Sequence, residues 1–95
     1  MSESGAGGYI AECFWPDVDQ AQVDLAAARV RSTAEELTRG GRPVELTDTI
    51  LVGKDEVVFY VFDSASGEAV REACELAAIP FERIVASVHI KERLQ

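Results

Sequence analysis

The chain has 95 residues, 47% of them hydrophobic, and a formal net charge of −8. That is the size of one domain with one core, which excludes wholesale disorder. The charge excludes nucleic acid and acidic membrane as favoured partners, and no apolar run approaches the length of a membrane span.

The first residues are small and polar, without the basic start and apolar stretch of an export signal. A flexible tail over residues 1–7, one domain over 8–92 and a cytoplasmic location are expected. The glycines of the tail precede a strand and no helix, so they make a poor phosphate cradle. Tyr9 to Trp15 is a short apolar run interrupted by Glu12 and closed by Pro16, and it reads as the first strand. Asp17 and Asp19 then offer N-caps, each with a glutamine three residues on. A helix is expected from Val18 to Arg39, with Val23, Ala27, Val30, Ala34 and Leu37 as its apolar stripe. Gly40 and Gly41 end it.

Val44 to Val52 reads as the second strand. Gly53, Lys54 and Asp55 form a tight turn, in which glycine is expected to take the positive φ. Glu56 to Phe62 is the third strand, uniformly β-branched or aromatic after Glu56, and therefore expected to be buried on both faces. Ser64 or Ser66 caps a second helix that ends before Pro80, with Val70, Ala73 or Cys74, and Ala77 turned inward. Ile84 to Ile90 is the last strand, with Ile84, Ala86, Val88 and Ile90 toward the helices. Cys13 and Cys74 fit no metal or disulfide spacing and read as reduced core thiols.

The order βαββαβ gives an α+β, ferredoxin-like sandwich: a four-stranded antiparallel sheet with two helices on one face. Right-handed crossovers are read as setting the first and third strands in parallel at its centre. The other sheet face has no helix to cover it. An apolar face of that size calls for a partner, so a homodimer in the manner of a dimeric α+β barrel is expected.

The segments Tyr9-Ile-Ala-Glu-Cys-Phe-Trp-Pro16, Ala69-Val-Arg-Glu72 and Ile79-Pro80 leading to Arg83-Ile84 resemble a family of small bacterial ferredoxin-like proteins. That family is catalogued as a domain of unknown function and includes nickel-binding members. The resemblance implies a divalent metal ion such as nickel as the candidate cofactor. The family's second helix carries Arg-Glu-His-Ala, where this chain has Arg71-Glu72-Ala73-Cys74. Its third strand carries Tyr-Cys-x-Tyr, where this chain has Phe59-Tyr60-Val61-Phe62, and its aromatic residue in the second strand is Leu46 here. Glu12, Arg71 and Glu72 are retained, and no cofactor is strictly required.

His89, the single histidine, phases onto the open face beside Glu12. The two form a candidate acid–base dyad or part of a metal site. Glu12, Phe14, Tyr60 and His89 are the candidate ligand-binding residues, with Trp15 and Phe62 as further aromatic lining. The expected function is small-ligand or metal binding by a dimer, in a cavity over the open sheet face. The alternatives are a cofactor-free isomerase or cyclase of the dimeric α+β barrel kind, and a partner module without a ligand of its own.

Overall fold

Residues 7–87 are described by the structure, a computed structural model. The elements are β1 (Gly7–Phe14), α1 (Gln20–Arg39), β2 (Val44–Val52), β3 (Val57–Ser64), α2 (Gly67–Leu76) and β4 (Arg83–Ser87). β1 begins inside the expected tail, because Gly7 and Gly8 pair with Ser64 and Asp63. Gly8 also lies against Ser87 so closely that an added Cβ would stand 2.6 Å from its hydroxyl.

The capping box at the start of α1 is closed in both directions. Asp19 Oδ1 accepts from the Gln22 amide at 2.8 Å, and Gln22 Oε1 accepts from the Asp19 amide at 2.9 Å. Asp17, the other candidate cap, instead takes a left-handed φ of 59° and donates its amide to the Glu56 carboxylate. The helix ends as its glycines suggest. Gly41 is left-handed, its amide reaches the Thr38 carbonyl, and the Arg42 amide reaches that of Leu37. Between β2 and β3 the turn is a short 3-10 segment, Gly53–Asp55. The positive φ expected of Gly53 falls on Glu56 (φ 56°). The turn is one residue longer than the sequence reading had it, and the chain reverses as it leaves the 3-10 turn.

The four strands lie in the order β2-β3-β1-β4, and every neighbouring pair is antiparallel. This is the ferredoxin-like sandwich. β1 and β3 are the central strands, as expected, but they are not parallel. The crossover through α1 makes β2 parallel to β1, and the β2–β3 turn then sends β3 back between them. A bulge at Thr47 shifts the β2–β3 register between Leu46 and Asp48.

The core forms between one sheet face and the helices. From the strands it takes Ala11, Cys13, Val44, Leu46, Val58, Tyr60 and Phe62. From α1 it takes Val23, Ala26, Ala27, Val30 and Ala34, and from α2 Ala69, Val70, Ala73 and Cys74. The alanines let the two helices approach closely. Two side chains then tie α1 to α2: Thr33 Oγ1 donates to the Ala73 carbonyl at 2.9 Å, and Arg29 Nε to that of Ala77 at 3.0 Å. Ser64, the one buried polar residue of this set, donates to the Pro43 carbonyl at 2.7 Å.

Candidate functional site

Side chains alternate along a strand, so the partners of the core residues define the opposite face. On β1 these are Ile10, Glu12 and Phe14; on β3, Val57, Phe59 and Val61; on β2, Asp48, Ile50 and Val52; on β4, Arg83, Val85 and Ser87. Register sets them in rows. Asp48, Val61, Ile10 and Val85 form one row, Ile50, Phe59, Glu12 and Arg83 the next, and Val52, Val57 and Phe14 the third. None of these residues belongs to the core cluster. Phe14 is 52% exposed and Ile50 45%. An apolar field is thus left open to solvent by the described chain. Glu45, Asp48 and Asp63 frame it at one corner.

Glu12 stands on this open face. Its carboxylate Oε1 accepts from Arg83 Nε at 3.0 Å, and Arg83 is also its direct cross-strand neighbour. The hydrogen bond and charge of Glu12 push the Arg83 guanidinium pKa further up. Among the described residues the cross-strand partner of Glu12 on β4 is thus an arginine. His89 itself lies outside the described residues, as do Val88 and Ile90, which the sequence reading placed in the last strand. Arg83 is the residue that sequence reasoning missed. The sequence marks it only as part of the motif shared with the resembled family, and the β1–β4 register shows what it faces.

The aromatic candidates divide between the two faces. Phe14 is on the open side. Tyr60 is not: it is 0% exposed and sits under the helices opposite Ala11, and Phe62 lies on the same buried side. Tyr60 therefore cannot line a pocket over the open face. Trp15 follows β1 and packs on the edge of the core. The expectation of burial on both sides of β3 holds for Val61 but not for Val57 and Phe59, which stay half-buried.

Cys13 and Cys74 are buried and unbridged. Burial, with charge from Glu82 on Cys13 and from Cys13 and Glu75 on Cys74, pushes both thiols up to about 12. Burial likewise lifts the Tyr60 phenol to about 12. The unfolded chain releases these protons at lower pH than the folded one, so the folded state loses stability as pH rises. Stability should be flat with respect to these groups near neutrality, and should fall between about pH 9 and pH 12. Urea titrations across that range check this, and native protein at pH 8 should resist alkylation by iodoacetamide.

The donors among the described residues do not suit a divalent metal. Among the described residues no group of three or more histidine, cysteine, aspartate or glutamate side chains could hold one. The Glu12 carboxylate is engaged by Arg83, the thiols are protonated on the far side of the sheet, and Ala73 is buried in the core. Calorimetry with nickel chloride and untagged protein is expected to show no tight stoichiometric binding. A stoichiometric isotherm would contradict it.

Among the described residues, surface hollows lie on the helix side. One of about 520 Å³ runs between α1 and β2, over Ala34, Val44 and Leu46. Another, of about 510 Å³, lies beside α2 among Glu68, Arg71, Glu72 and Arg42, where Arg42 and Glu72 form an ion pair. Arg71 is also held, with its guanidinium 5.3 Å from the centre of the Phe81 ring. The retained Arg71 and Glu72 thus serve local packing, away from the open face.

No protein-family model and no curated protein matches the chain. Among solved structures it is similar to the crystal structure of SCO4226 from Streptomyces coelicolor A3(2), with a TM-score of 0.75 at 12% identity. The match covers 88% of this chain and 99% of that one. At that identity the likeness is one of fold. No described helix is long and apolar enough to cross a membrane.

Proposed function

We propose that the protein is a dimeric, non-enzymatic binder of a small apolar ligand, held on the open sheet face and enclosed there by the second copy. The observation that carries this reading is the field of Ile10, Phe14, Ile50, Val57, Phe59 and Val85, with a polar couple, Glu12–Arg83, set at its side. Apolar surface with a few placed polar groups is the usual make-up of a small-molecule site. The acidic corner of Glu45, Asp48 and Asp63 disfavours anionic ligands, so neutral or cationic ones are expected. Binding is preferred over proton-transfer chemistry because the Glu12 carboxylate beside the field is already tied to Arg83. A Nile red titration tests the reading. Saturable binding with a blue-shifted emission is expected, and fluorescence no different from that in buffer would overturn it.

A further inference from the structure

β2 is an edge strand, and its outer backbone groups face no neighbouring strand. Toward its start the edge is closed by α1. Thr38 Oγ1 accepts from the Val44 amide at 3.1 Å and donates to the Val44 carbonyl at 3.0 Å. Beyond the bulge, the Thr49 amide donates to the Asp48 carboxylate at 2.8 Å. Leu46 lies between these caps. Backbone groups alternate in direction along a strand, so Leu46, on the Val44 side of the bulge, turns its amide and carbonyl to the same outer side as Val44. Neither group has a partner among the described residues. On that side is the hollow of about 520 Å³ between α1 and β2, which Thr38 and Leu46 both line.

Arg31, Glu35 and Arg39 form the α1 wall of this hollow, and none of them is in an ion pair among the described residues. We propose that β2 takes an added strand at Leu46: an extended peptide segment of another protein, apolar at the residue opposite Leu46 and acidic two positions before and two after it. The opposite residue exchanges two backbone hydrogen bonds with Leu46, as in an antiparallel pair, and its side chain lies on the helix side over Ala34, Val44 and Leu46. Spacing sets the acids. Arg31 and Arg39 are about 12 Å apart along the α1 axis. Four residues of extended chain span about 13 Å, and residues two apart share a face. Both acidic side chains therefore come to an arginine, while Glu35, midway between, repels an acid at the central position. Glu45 and Asp48 alternate to the open face of the sheet, so they do not oppose the peptide's acids.

Fluorescence polarisation of a labelled peptide, Thr-Glu-Thr-Leu-Thr-Glu-Thr with both ends blocked, tests this on the full chain. Saturable binding is expected. A peptide with lysine in place of both glutamates should bind about tenfold more weakly or worse. So should the glutamate peptide with an N-methylated leucine, which cannot donate to the Leu46 carbonyl; that change is in the ligand and leaves the protein's folding untouched. The double variant Arg31→Glu, Arg39→Glu should reverse the preference and take the lysine peptide over the glutamate one. Both arginines are exposed, and far-UV circular dichroism checks that the variant folds. No saturable change up to about 1 mM protein would overturn the inference. Equal binding of the methylated peptide would do so too, as would an unchanged preference in the double variant. Displacement of Nile red by the peptide would put it on the open face instead. A double reversal that alters the chain's own mass in sedimentation, with no peptide bound by wild type, would give the groove to a second copy. Either result also ends the proposal.

Discussion

Replacing Phe62 by alanine is expected to lower folding stability by about 3–5 kcal/mol. Phe62 is on the helix side of β3, 1% exposed, between Tyr9 of β1 and Leu46 of β2. Truncation removes the transfer free energy of the ring and leaves a cavity in a core whose helix side is mostly alanine and valine. Those short side chains cannot reach in to fill the space. A domain of this size holds about 5–15 kcal/mol in all, so the variant should be close to unfolding at room temperature. Urea denaturation measures the loss, and a change below about 1 kcal/mol would show that Phe62 is not in the core. Tyr60→Phe provides the contrast two residues away. The Tyr60 hydroxyl is buried without a hydrogen-bond partner among the described residues, so its removal should be neutral or stabilising by about 1 kcal/mol.

Phe59→Asp is expected to leave the fold in place and abolish both self-association and Nile red binding. Phe59 is on the same strand as Phe62 with the opposite parity, and is only half-buried in the single chain. Its cross-strand neighbours are Ile50 and Glu12, so a new carboxylate would stand in the apolar field and beside an existing acid. An unpaired charge at the centre of a closed interface costs several kcal/mol, on the order of a thousandfold in affinity. In the isolated domain the same carboxylate reaches water and costs little. Gel filtration, dye fluorescence and a thermal melt together read the outcome. A variant that melts like wild type but neither dimerises nor binds dye is the expected result. One that dimerises and binds dye normally would remove the open face from the account.

The βαββαβ order, the capping box of Asp19 and Gln22, the glycine stop of α1 and the bounds of β2 were legible in the sequence because each depends on local chemistry. The phase of β3 was not. Val57 to Phe62 contains no polar residue, so nothing in the run itself distinguishes Tyr60, under the helices, from Phe59, on the open face. That distinction is imposed by Ala11 and Cys13, the inward neighbours on β1. The direction of β3 relative to β1 depends on a crossover that keeps β2 parallel to β1, followed by one reversal at the β2–β3 turn. The positive φ moved from Gly53 to Glu56 because the turn is built as a 3-10 segment. At the candidate site, the open-face position of Glu12 was readable from the cost of burying a carboxylate among aliphatics. Its partner was not, since Arg83 becomes its neighbour only through the β1–β4 register, a contact between residues far apart in sequence.

Native mass spectrometry of protein purified from its own host tests most directly the claim that the open sheet face encloses a small ligand between two copies. The account predicts a species at twice the chain mass that carries a small organic adduct, and loss of both dimer and adduct in Phe59→Asp. A bare monomer from wild-type protein, with no adduct under gentle desolvation, would contradict it.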